Sequence, residues 1–199
     1  MAELFAVFLA SGALWPQARA ELKPPSVGDL MRWRCSGPYT TSYAAVVTRN
    51  KGDLVRYEMT TDNSRYWIEQ SSRFIGTTLW NHKAGDETQW FHDDEFNGFE
   101  ELSPGRRFRG AVAAQKGAST WVWDYDVSIG EPKQLDQPPL GPLTVSVVVE
   151  QRKIYFGQYW SRMTSYVLPD RGLTVRWTYE DPAGVEHCDL SDYERRAAG

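Results

Sequence analysis

The clearest strand and turn signals of the chain lie between Leu140 and Glu194, in the sequence LGPLTVSVVVEQRKIYFGQYWSRMTSYVLPDRGLTVRWTYEDPAGVEHCDLSDYE. Between Leu173 and Glu180 apolar and polar residues alternate, which is the period-two pattern of a strand with one buried face. Proline and glycine combine in turn signals on both sides of that strand, at Pro169 to Gly172 and at Asp181 to Gly184. The stretch therefore predicts a four-strand antiparallel meander.

The same alternation recurs upstream in shorter segments, including Leu30 to Cys35, Leu54 to Thr60 and Trp121 to Ser128. Apart from the N-terminal twenty residues, no segment carries a sustained helical stripe of apolar residues. We predict an all-β fold, a strongly curved or barrel-like antiparallel sheet of about nine or ten strands in meander order.

Two places interrupt the pattern. The segment Glu131 to Pro142 holds four prolines, which predicts an ordered loop, because proline cannot donate a ladder hydrogen bond. After Glu150 the apolar alternation of the preceding valines loses its phase, which predicts a β-bulge near Gln151.

The first twenty residues are typical of a signal peptide. An apolar run from Leu4 to Trp15 is followed by the small-x-small pattern at Ala18 to Ala20, although Glu3 stands where a basic residue is usual. We expect residues 1–20 to be removed, residues 21–199 to form a single all-β domain, and the protein to be periplasmic or secreted. A buried amphipathic N-terminal helix is the alternative.

An exported location bears on the two cysteines, Cys35 and Cys188, because disulfides form in oxidising compartments. We predict a disulfide that joins the first probable strand to the last and so draws the ends of the sheet together. Two separately buried thiols are the alternative.

Charge and motifs exclude several kinds of partner. A formal net charge of -4 gives no electrostatic footprint for nucleic acid, and no transmembrane span is expected in the mature chain. The acidic run at Phe91 to Glu101 fits a calcium loop only in part, so a weak candidate metal site consists of Asp93, Glu95 and Asn97. No motif for a cofactor, a zinc site or a catalytic nucleophile is present, and no catalytic residue is predicted.

Several features of the C-terminal half occur together: the turn at Leu102 to Arg106, the aromatic strand at Trp121, a loop rich in proline and glycine before Val145, and the run from Tyr166 to Arg176. In this order they resemble uncharacterised exported bacterial domains with a curved antiparallel β-sheet of half-barrel type. The resemblance implies the fold and export, and it transfers no catalytic residue. The sequence departs from those domains at Pro138 to Pro142, where they often have Pro-Ala-Gly-x-Phe.

The abundance of large rings, including nine tryptophans, suggests a function. We expect a non-catalytic exported protein that binds an apolar or lipid-like ligand in a concave aromatic face of the sheet, or else rings that only fill a core. The alternatives are an envelope interaction or assembly protein that acts through protein contacts and, less favoured, a carbohydrate-active enzyme. The candidate ligand-binding residues are Trp121, Trp123, Trp160, Tyr166 and Trp177.

Overall fold

The computed structural model describes residues 22–52, 54–71, 78–83, 86–92, 102–154 and 157–195. The predicted signal peptide and the candidate metal loop at Asp93, Glu95 and Asn97 lie outside these residues. The described chain is all-β, with one three-residue 3-10 helix at Pro169–Arg171. None of its helices has the length and apolar content to span a membrane.

The described residues form twelve strands rather than the nine or ten expected from the sequence. They are β1 (Leu30–Ser36), β2 (Ser42–Asn50), β3 (Leu54–Thr61), β4 (Arg65–Ser71), β5 (Thr78–Lys83), β6 (Asp86–His92), β7 (Arg107–Lys116), β8 (Ser119–Gln137), β9 (Gly141–Ile154), β10 (Trp160–Leu168), β11 (Leu173–Asp181) and β12 (Gly184–Glu194).

Each strand pairs antiparallel with its neighbours in chain order, which confirms the predicted meander. In addition, β1 pairs with β12 as well as with β2, so the pairings close the curved sheet into a ring. The turn signals work as expected: Gly172 ends the 3-10 turn before β11 with a φ of 57°, a conformation that suits glycine.

The predicted disulfide is present in this structure. Cys35 and Cys188 are direct cross-strand partners on β1 and β12, with Cα atoms 4.1 Å apart. The bridge therefore crosslinks the first and last strands at the place where the ring closes.

The predicted loop from Glu131 to Pro142 is wrong, because β8 runs to Gln137 and β9 begins at Gly141. The local structure of the β8–β9 hairpin accommodates its prolines. Pro132 lies at the pairing irregularity between Gly130 and Lys133, where no ladder bond is needed, and a cis Pro138–Pro139 bond lies in the turn. The predicted bulge near Gln151 is also wrong, since Gln151 pairs regularly with Asp126 and Arg162.

The end of the long β8–β9 hairpin reaches across to a strand that is not its neighbour. Buried Gln137 donates a hydrogen bond of 2.8 Å to the backbone oxygen of Leu190 on β12. Val145 belongs to the same apolar cluster as Met31 and Leu190. The hairpin thereby packs against the part of the ring around β1 and β12.

Candidate functional site

A cavity of about 570 Å³ lies along the inner face of the ring. Because side chains alternate across a strand, every second residue of each strand points inward. The aromatic and apolar part of the lining includes Met31, Trp33, Tyr43, Ala45, Val55, Tyr57, Met59, Met163, Trp177 and Tyr179. This volume is in the range of small-molecule sites, which are also predominantly apolar.

Trp177 is the centre of the aromatic lining. Its ring makes edge contacts with Trp33, at a centroid distance of 5.1 Å, and with Tyr43, at 5.5 Å. The indole of Trp33 is fixed in turn by a hydrogen bond of 2.9 Å from Nε1 to the backbone oxygen of Thr174. These contacts give one wall of the cavity a defined aromatic surface.

Polar groups also face inward, and the first is an ion pair on β9. Buried Glu150 binds the guanidinium of Arg152, whose carbon lies 5.6 Å from the centroid of the Tyr125 ring. The apolar alternation breaks at Glu150 because two charged residues face inward there, not because the strand has a bulge. Glu150 and Arg152 lie on the same face of β9 as Val148 and Ile154. Their spacing of two from Val148 was the signal that could have identified them.

Asp181 forms a second inward polar group, where β11 ends. Tyr39 and Tyr159, each from a different turn, donate hydroxyl hydrogen bonds to its two carboxylate oxygens, and the backbone nitrogen of Ala183 donates a third at 2.8 Å. Burial alone would raise the pKa of Asp181, but these hydrogen bonds outweigh it and hold that pKa below its ordinary value. The hydrogen bond to Asp181 raises the pKa of Tyr39 to about 12. Asp181 is therefore a well-partnered carboxylate.

Glu186 is the third inward acid, and its environment differs. Only 3% of its surface is exposed, and its hydrogen-bond donor is the backbone nitrogen of Thr40, at 3.1 Å. Among the described residues no cationic side chain pairs with it. Burial raises the pKa of Glu186, and the bond from Thr40 opposes this in part. Asp181 is two residues after Tyr179 on β11, and Glu186 is two residues before Cys188 on β12, so each acid shares the inward face of its strand. This spacing of two was the sequence signal that could have identified both acids.

The five aromatic residues selected from the sequence do not share one face. Strand pairing places Trp121, Trp123 and Trp177 on the inner face, where Trp123 contacts Tyr159 with ring centroids 5.6 Å apart. Trp160 is on the outer face, where its cross-strand partner is Lys153. Tyr166 points to the opposite side of β10 from Ser165 and packs against the apolar cluster that contains Val145. Of the five, Trp177 lines the cavity.

A second depression, of about 810 Å³, runs across the outer face of β7 to β11. Trp160 lines it among charged residues, of which Asp126 is bound by both Arg107 and Arg109. The bond from Arg107 and, more weakly, that from Arg109 hold the pKa of Asp126 below its ordinary value against the opposing effect of burial. Asp126 is therefore a carboxylate held in its ionised form by two guanidinium groups.

One cluster of ligand-type side chains lies in the described part of the chain. Ligand atoms of Cys35, Glu186 and Cys188 are within 4.8 Å of one another. Both cysteines are in the disulfide, so their sulfurs are not thiolates and cannot serve as metal ligands.

Comparison with known proteins supports the fold assignment. No protein-family model matches the chain, and no curated protein matches it. Among solved structures it is similar to the hypothetical lipoprotein YmcC from Escherichia coli (K12), with 12% identity, a TM-score of 0.52, and coverage of 86% of this chain and 85% of that one. A proposed lipoprotein from Parabacteroides distasonis ATCC 8503 has 10% identity, a TM-score of 0.51, and coverage of 89% and 100%. The resemblance to uncharacterised exported bacterial domains is thus confirmed at the level of fold.

Proposed function

We propose that the protein is an exported binding protein that holds the apolar part of a lipid-like ligand inside the ring. The observation that carries this proposal is the inner cavity, which is large enough for a small molecule and is lined mainly by aromatic and apolar side chains. Several of these side chains are held by neighbouring rings, as Trp177 is by Trp33 and Tyr43, so this part of the surface is preformed.

Export is part of the proposal and has three supports. The N-terminal twenty residues have the pattern of a signal peptide, and an intramolecular disulfide suits an oxidising compartment. The proteins of similar fold include two described as lipoproteins.

A non-catalytic role is proposed from the state of the inward acids. Glu150 is paired with Arg152, and Asp181 accepts hydrogen bonds from the hydroxyls of Tyr39 and Tyr159 and from the backbone nitrogen of Ala183. These contacts are of the kind that fix a surface for binding.

A pair of adjacent substitutions on β10 tests the site. Met163 lines the cavity, whereas Thr164 points to the other face, between Val149 and Thr178. With the neutral dye N-phenylnaphthylamine as probe, we expect Met163→Trp to weaken binding about tenfold or more by filling the cavity, and Thr164→Trp to bind like the wild type. Equal affinities of the two variants would contradict an interior site.

A matched measurement concerns the natural ligand. We expect native mass spectrometry of the protein purified from its own host without detergent to detect an added mass that is lost on denaturation. The identity of that mass gives the ligand class. A bare chain that also fails to bind the dye would contradict the proposal and favour a filled core with a role in protein contacts.

A further inference from the structure

The three inward acids differ in what already binds them. Glu150 has the Arg152 guanidinium, and Asp181 has the hydroxyls of Tyr39 and Tyr159. Glu186 has the backbone nitrogen of Thr40, and the part of the chain that the structure describes offers it no cation. Since a buried carboxylate is costly without a charged partner, Glu186 has the capacity to bind a cation that enters the cavity.

The surroundings of Glu186 favour a particular cation. Tyr179 is its direct cross-strand partner, and Trp177 and Tyr43 lie along the same cavity wall. Tyr43 and Tyr66 line the same cavity as Glu186. Burial raises the pKa of both tyrosines, and the charge of Glu186 adds to this effect. Aromatic faces attract alkylammonium groups, because the ring quadrupole is negative above and below the plane.

The rest of the cavity lining indicates what the remainder of such a ligand is. The apolar part of the wall includes Met31, Val55 and Met59, and a separate polar part includes the Glu150–Arg152 ion pair and Asp181. A molecule with an ammonium group at one end and a hydrocarbon chain at the other would match both regions.

We propose that Glu186, with the rings of Tyr43, Trp177 and Tyr179, forms a site for the ammonium group of a cationic amphiphile whose hydrocarbon chain occupies the apolar part of the cavity. This inference rests on the proposed function and adds the sign of the ligand's charge and the residue that recognises it. The ammonium group supplies the counter-charge, and its N–H bonds donate to the carboxylate oxygens.

Three probes with the same chain test the proposal: dodecylammonium, dodecanol and dodecanoate, titrated calorimetrically below their aggregation concentrations. We expect dodecylammonium to bind at least about tenfold more tightly than dodecanol, because it alone makes the charged contact. Glu186→Gln should abolish this preference and leave the affinity for dodecanol unchanged. Glu180→Gln is the matched control, since Glu180 lines the outer depression, and it should behave like the wild type.

The outcomes separate this inference from the proposed function. Equal binding of dodecylammonium and dodecanol by the wild type, or a preference that persists in Glu186→Gln, would overturn the ammonium site and leave the apolar cavity intact. Tightest binding of dodecanoate would overturn the sign of the charge. If none of the three binds, the proposed function fails together with this inference. The melting temperature and the near-ultraviolet circular dichroism of each variant verify that it is folded.

Discussion

At the scale of single residues, partners decide what each inward acid can do. Glu150, Asp181 and Glu186 are all buried on the inner face, yet a guanidinium pairs with the first, and hydroxyl and amide groups donate hydrogen bonds to the second. Only the third has one neutral donor among the described residues. Of these three acids, Glu186 is therefore the one whose ionisation costs the folded protein most in the absence of a ligand.

This cost predicts a pH-dependent effect of Glu186→Gln on stability. Since burial raises the folded pKa of Glu186, the penalty is absent below the unfolded pKa of about 4.3 and is complete above the raised folded pKa. We expect the free energy of unfolding of the variant to exceed that of the wild type by up to about 1 kcal/mol at pH 7, and the two to agree near pH 3. Urea titrations at both pH values measure the difference. A destabilised variant at pH 7 would mean that the Glu186 charge has a partner within the chain.

The sequence predicted some of these residues and missed others for a physical reason. Cys35 and Cys188 could be paired because a chain with two cysteines offers one intramolecular pairing. Glu150, Asp181 and Glu186 were missed because a charged residue in a strand normally faces solvent. Likewise, which face Trp160 or Tyr166 occupies depends on the register with neighbouring strands, and a single sequence does not encode that register explicitly.

At the scale of elements, the β8–β9 hairpin shows where composition misleads. Its prolines predicted a loop, but Pro132 lies at a pairing irregularity and Pro142 at the turn end, where ladder bonds are dispensable. By contrast, β11 follows its sequence closely, because strict alternation and two turn signals agree. The strand elements were thus predictable wherever local pattern and turn chemistry pointed to the same structure.

The contact between the hairpin end and β12 gives a prediction for this element. Gln137→Ala removes the donor to the Leu190 carbonyl in a buried position, so we expect a loss of about 1–3 kcal/mol in the free energy of unfolding. Gln134→Ala is the control, because Gln134 bonds Thr144 on the exposed face and its loss should cost less than about 0.5 kcal/mol. Chemical denaturation of the wild type and of both variants measures the two losses in the free energy of unfolding. Equal costs for the two substitutions would show that the buried contact does not hold the hairpin in place.

At the scale of the whole molecule, the ring depends on contacts between strands that are far apart in sequence. The disulfide joins residues 153 positions apart at the seam between β1 and β12. A sheet of meander strands has only local pairings except at this seam, so the bridge constrains the unfolded chain over almost its full described length.

Reduction of the disulfide should therefore destabilise the protein strongly. The chain-entropy model gives about 5 kcal/mol for a loop of this length, before any strain is subtracted. We expect the Cys35→Ser/Cys188→Ser double variant to melt well below the wild type, and reductant to lower the melting temperature of the wild type but not of the variant. Calorimetry with and without reductant measures both effects. An unchanged melting temperature would mean that strand pairing alone holds the seam.

Whether the interior of the ring is a ligand site can be seen by crystallography with a labelled probe. Dodecylammonium brominated at the end of its chain carries an anomalous scatterer on the apolar part of the molecule. We expect a bromine peak inside the ring, among Met31, Val55 and Tyr57, with the ammonium group against Glu186. Bromine ordered only in the outer depression beside Trp160, with an unchanged interior, would contradict a ligand site inside the ring.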